Sequence, residues 1–156
     1  MVWGSSEWKK ERDRKLRYWF KGDEDAFDLI MAWSDIGELW DDFIDGDKPI
    51  PVQRVHDAFM AAVVEIPSNP FFQEHRTTLT PVLIQAISAW MDANKFERGT
   101  VSQRALAYTL RNMDIQLVQS VVYIVGGFGW LRQHSADIWD LFGAQQDDAL
   151  QWIVGV

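Results

Sequence analysis

At 156 residues the chain is the usual size of one domain, long enough to bury roughly two-thirds of the surface its unfolded form would expose. A hydrophobic content of 47%, with nine Trp, nine Phe and three Tyr, excludes a wholly disordered chain; the lack of cysteine excludes a disulfide framework, a zinc-thiolate site and a thiol nucleophile. The formal charge of −8 is strongly segregated: Glu7 to Lys21 carries seven bases against three acids, whereas Gly22 to Lys48 carries ten acids against one lysine.

The first predicted helix runs from Ser6 to Phe20, with Ser5 or Ser6 as N-cap and Glu7 or Glu11 in the first turns, where the helix dipole favours negative charge. Trp8, Leu16 and Trp19 share one side, bases cover much of the rest, and Gly22 stops it. The second begins on Asp23 as cap and carries Ala26, Leu29, Ile30, Trp33, Trp40, Phe43 and Ile44 on one face through to Asp45 and Gly46. Asp28, Asp35 and Asp42 line its other face at spacings of seven, with Asp25, Glu38 and Asp41 beside them.

Lys48-Pro-Ile-Pro reads as a short extended linker, because each proline biases its predecessor away from helix. Pro51 suits a first helical position, and Val52, Val55, Phe59, Val63 and Ile66 give a third amphipathic helix ending before Pro67. Ser68-Asn-Pro opens a one- or two-turn helix over 71–76. Thr80-Pro81 repeats the cap-then-proline start of a helix that continues to about Phe96 through Leu83, Ile87, Trp90 and Met91.

From Ser102 to Val125 the apolar positions Leu106, Leu110, Met113, Leu117, Val121 and Ile124 recur every three or four residues. Beyond Asp114 the polar side nearly disappears, so this stretch is expected to be a central helix enclosed by the others. Gly126 and Gly127 end it, a further helix carries Phe128, Leu131, Ile138, Leu141 and Phe142 to Gly143, and 147–154 could add a terminal turn. The expected fold is therefore an all-α single-domain bundle of six or seven helices around a long helix at about 102–125, with 1–21 as a basic N-terminal helix or arm.

Chemistry-bearing motifs are sparse. His56-Asp57 spells the central pair of the HD-type phosphohydrolases, but no histidine precedes it to complete a metal site. His134-x-x-Asp137 supplies two ligand types on one helix side, and two do not make a site. Asp25-x-x-Asp28, Glu38-x-x-Asp41 and Asp42-x-x-Asp45 have the i, i+3 spacing of magnesium-binding pyrophosphatase helices, yet all lie on one helix. The Glu-x-x-His of di-iron bundles and the Gly-x-Ser-x-Gly nucleophile elbow are both missing. Gly126-Gly-Phe-Gly129 lacks the lysine of a phosphate-binding loop and reads as a helix cap and turn. No cofactor or metal is expected, and an enzyme is the lesser expectation.

Arg111 and Asp114, one turn apart with Arg104 nearby, must be paired or line a pocket if the central helix is enclosed. With His75 and His134 they form the candidate polar pocket, which would belong to a small helical metal-dependent hydrolase or ligand-binding protein. The net charge disfavours direct nucleic-acid binding, although the basic first helix alone could contact phosphate or an anionic surface. A basic helix followed by an acidic one suggests that the two pair, as a hairpin or between subunits. Regularly spaced carboxylates also permit a third reading, an acidic inhibitor that imitates nucleic acid.

The expected function is a non-enzymatic protein-binding or assembly module. It would engage itself, as a homo-oligomer, or a partner's basic surface through Asp28, Asp35, Glu38, Asp41 and Asp42, with Trp8, Arg12, Arg14 and Arg17 as a second contact. The tryptophan-rich, cysteine-free helical character gives the general look of a virus-encoded accessory protein, with no motif carrying it. The N-terminus has no signal-peptide pattern, and the longest apolar run, near Val121 to Val125, is far short of the ~20 residues of a membrane span. A soluble, cytoplasmic protein is expected.

Overall fold

The structure is a computed structural model that describes residues 4–46, 48–143 and 153–154. It is all-α, with no strand among these residues: α1 spans Ser6–Trp19, α2 Glu24–Asp45, α3 Val52–Met60, α4 Ile66–Ser68, α5 Pro70–Phe96, α6 Val101–Arg111 and α7 Ile115–Gly143. A π-helical turn, Ala61–Glu65, joins α3 to α4. The chain divides into two compact units, one formed by Gly22–Arg76 and the other by Met1–Lys21 with Thr77–Val156.

The unit 22–76 begins as the sequence predicts. Asp23 caps α2, its side chain accepting the Ala26 N–H at 2.9 Å, and Gly46 ends the helix in the left-handed conformation. Asp23→Ala is expected to cost about 1 kcal/mol of stability, read from a urea transition, by leaving that N–H without its acceptor. Ala26, Phe27, Leu29 and Ile30 on α2 are buried, as are Ala61, Ile66, Phe71 and Phe72. Asn69 ties α5 to α2: its Oδ1 accepts the Phe72 N–H at 2.9 Å and its Nδ2 donates to the Asp25 carbonyl at 2.8 Å. The third helical stretch does not stop before Pro67, because the ring sits in the first turn of α4, where a proline leaves little unsatisfied.

The other unit is built around α7. At Gly127 (φ 78°, ψ −178°) the helix leaves helical geometry, in a region open essentially to glycine alone. Gln119 and Ser135, which a straight helix would hold roughly 24 Å apart, are joined by an Nε2–Oγ hydrogen bond of 3.4 Å. The two arms of α7 therefore fold back on each other as an αα-hairpin, and the break foreseen at Gly126 and Gly127 is a chain reversal. Leu117, Val121 and Val122 of the first arm and Ile138 of the second are buried together with Leu16, Trp19 and Phe20 from the N-terminal segment.

Ser5 caps α1 by accepting the Trp8 N–H at 3.1 Å, and the helix is clamped to the second arm of α7 at both ends. Trp8 Nε1 donates to the Leu141 carbonyl at 3.3 Å, and Trp130 Nε1 donates to the Trp19 carbonyl at 2.9 Å. At the start of α6, Thr100 and Gln103 form a reciprocal capping box.

Several expectations need correction. The central helix at about 102–125 is two helices, separated at Asn112–Asp114, where i→i+3 bonds such as Met113 N–H to the Leu110 carbonyl replace the α-helical pattern. Only its second part is enclosed: Leu106 is 47% exposed, while Leu117 and Val121 are fully buried. Five α-helices exceed ten residues among the described residues, below the six or seven expected. The predicted pieces 71–76 and 80–96 are one helix bent at His75 (φ −108°, ψ 16°), with Pro81 inside it. Of the tail 147–154, only Ile153 and Val154 lie within the described residues; both are helical.

Candidate functional site: an acidic groove on the 22–76 unit

The 22–76 unit carries a groove of about 420 Å³ between α2, the end of the π turn and the start of α5. Asp25, Asp28 and Asp35 line it from one side of α2, and Glu65 from the π turn. Leu29, Met31, Ile66 and Pro70 supply an apolar floor. Helical spacing explains the carboxylate row, because residues three, seven and ten apart return to the same side of α2. Leu29 and Ile66 are buried, whereas all four acids are exposed. None of the four carboxylates has an ion-pair partner among the described residues.

Asp28 and Asp35 thus belong to the groove, while the other three predicted α2 contacts have different surroundings. Glu38 is exposed, and Asp41 is half-buried. Asp42 is largely neutralised within the fold: Arg54 Nη1 donates to its carboxylate at 2.6 Å and Lys48 Nζ lies at 3.7 Å. The Arg54 hydrogen bond, followed by the Lys48 charge, holds the Asp42 carboxyl below its usual range. Glu65 was not foreseen. Its signal was its place just before Ile66, the last apolar residue of the third helix, but only the π turn brings it alongside the α2 acids.

The arm contact needs revision in two of its four residues. Arg14 and Arg17 are exposed, but Trp8 and Arg12 are each only 7% exposed. Trp8 packs edge-on against Phe142 with ring centroids 6.2 Å apart, while the Arg12 guanidinium lies 5.3 Å from the Trp8 ring and pairs with Asp13 at 2.8 Å. The apolar side of α1 is occupied by its own unit, so a partner meeting this helix would find its basic side.

The four polar-pocket candidates have separate environments. Arg111 pairs with Glu97, donates to Asn94 Oδ1 at 3.0 Å and stacks 4.6 Å from the Trp90 ring, the structural salt bridge that enclosure of a charge demands. Asp114 is exposed at the head of α7, where its carbonyl accepts the Leu117 N–H at 2.8 Å. His134 is buried between Tyr18 and Trp130, at centroid distances of 5.4 and 4.2 Å, and its Nε2 has no hydrogen-bond partner among the described residues. His75 lies at the bend of α5, 4.6 Å from the Phe71 ring and 4.0 Å from the Glu74 carboxylate.

No family model, curated protein or solved structure matches this chain. The site assignment accordingly stands on geometry alone. Among the described residues no group of three or more His, Asp or Glu side chains is disposed to hold a metal ion, and no helix is long and apolar enough to cross a membrane.

Proposed function

We propose that the chain is a non-enzymatic protein-binding module whose acidic groove receives a lysine- or arginine-bearing segment of a partner. The observation that carries this reading is the set of Asp25, Asp28, Asp35 and Glu65 around an apolar floor, with no cation pairing them among the described residues. Cationic side chains carry long methylene stems beneath a charged head. A groove with an apolar base and an acidic rim accommodates both parts of such a side chain.

Carboxylates without an ion-pair partner among the described residues would lose little on engaging a cation, because no ion pair seen there has to break first. Attraction of this kind acts at the rim, so it should show mainly in the association rate and weaken with added salt. The exposed bases Arg14 and Arg17 on α1 would then be a second, oppositely charged surface for an assembly partner.

The test is titration of the full chain with a lysine-rich peptide, followed by calorimetry. Converting Asp28 and Asp35 to lysine is expected to abolish measurable binding while circular dichroism stays unchanged, since both side chains are exposed. Equal affinity of the doubly reversed and original proteins would rule the groove out.

A further inference from the structure

The helical stretch 52–68 carries a surface that the acidic groove does not use. Val52, Val55, Phe59 and Val63 recur on one side of it and are 69%, 49%, 69% and 55% exposed, with Met60 beside them at 49%. The opposite side explains the orientation. Ala58 and Ala61 are small enough to let the helix approach its neighbours closely, and Arg54 on that side bonds Asp42 of α2. Ala61 is buried, whereas α3 itself has no buried residue. A strongly amphipathic helix is thus packed by its small side, with its large apolar side facing out.

We propose that this face is the interface of a homodimer, with residues 52–63 of one copy lying antiparallel on the same residues of a second copy. Area is the first argument. The exposed apolar surface of these residues is on the order of 500 Å². That matches the apolar share, about 65%, of the roughly 800 Å² that each partner buries in a stable interface.

Charge is the second argument. Along 52–63 the formal charges are those of Arg54 and Asp57, which cancel. A neutral apolar stripe offers no electrostatic preference for a foreign basic or acidic segment, whereas it complements itself. Antiparallel pairing about a two-fold axis sets Phe59 of each copy beside Val55 of the other and closes the assembly at two chains. The proposal is independent of the groove, whose carboxylates are not part of this stripe.

Light scattering on the full chain over a concentration series tests it, in low salt and in about 1 M salt, where the Debye length is ~3 Å. The expected mass is twice 18.1 kDa at both salts, because apolar burial is not screened. Val55→Glu combined with Phe59→Glu is expected to give 18.1 kDa with helicity retained, since both side chains are exposed. If the double variant loses helicity, Phe59→Ala carries the test, because alanine favours helix; its dimer dissociation constant is expected to rise by about tenfold. A single-chain mass for the original protein, a dimer that falls apart in high salt, or an unchanged dimer in the folded variants would overturn the proposal.

Discussion

Trp19→Ala is expected to cost about 3–5 kcal/mol, the range for truncating a fully enclosed aromatic side chain. Trp19 is 2% exposed and adjoins the fully buried Phe20, so the indole leaves a cavity that its rigid neighbours cannot close. A loss of this size is a large fraction of the ~5–15 kcal/mol by which a domain is stable. Urea unfolding followed by circular dichroism measures it. Lys9→Ala, an exposed position on the same helix, is the control and should stay within about 0.5 kcal/mol. If the two units unfold as separate transitions, only that of the unit containing 1–21 and 77–156 should move.

The second large effect is at Gly126, beside the break of α7 at Gly127. A glycine within a helix is ordinarily improved by alanine, by up to about 1 kcal/mol. Gly126→Ala is expected instead to destabilise by about 2 kcal/mol, as overpacking does. A Cβ at 126 would lie 2.6 Å from the Trp130 Cβ, and no rotamer of Trp130 can relieve that approach. The backbone of the hairpin turn must therefore shift. That shift would strain the Trp130 Nε1 bond to the Trp19 carbonyl and the edge-on packing of Trp130 against His134. A chemical-denaturation midpoint gives the sign directly, and tryptophan fluorescence reports the displaced indole.

Much of the fold is legible because local chemistry and global packing agree in this chain. Ser5, Asp23 and Gly46 are a serine, an aspartate and a glycine at positions whose backbone groups need those side chains or that conformation, and each acts as read. The enclosure of 115–122 follows from a helix apolar nearly all round. The break at Asn112–Asp114 was hidden for a physical reason: a tight turn with i→i+3 bonds advances the chain almost as a helix does, so the spacing of Leu110, Met113 and Leu117 runs on undisturbed. Pro81 misled in the opposite direction. A proline suits a first helical turn, yet it is also tolerated inside α5 at an exposed position, where water can serve the carbonyl it leaves unbonded.

The candidate site was partly legible for the same kind of reason. Asp25, Asp28 and Asp35 belong to one helix, and their shared side follows from periodicity. Glu65 comes from another element, and its position depends on a π turn that no pattern in the sequence announces. The outward face of Val52, Val55, Phe59 and Val63 was likewise invisible, because amphipathicity tells which residues share a side without telling which side is packed. Here Ala58 and Ala61 decide it.

The central claim, that the groove on 22–76 is the partner-binding surface, is tested most directly by mapping a lysine-rich peptide onto the full chain through backbone amide chemical shifts. The expected perturbations concentrate on Asp25, Asp28, Asp35, Glu65 and Asn69, and fade in about 1 M salt, where the Debye length is ~3 Å. Perturbations centred on the 77–156 segment, or spread evenly over the acidic residues of α2 including Glu38 and Asp45, would contradict it.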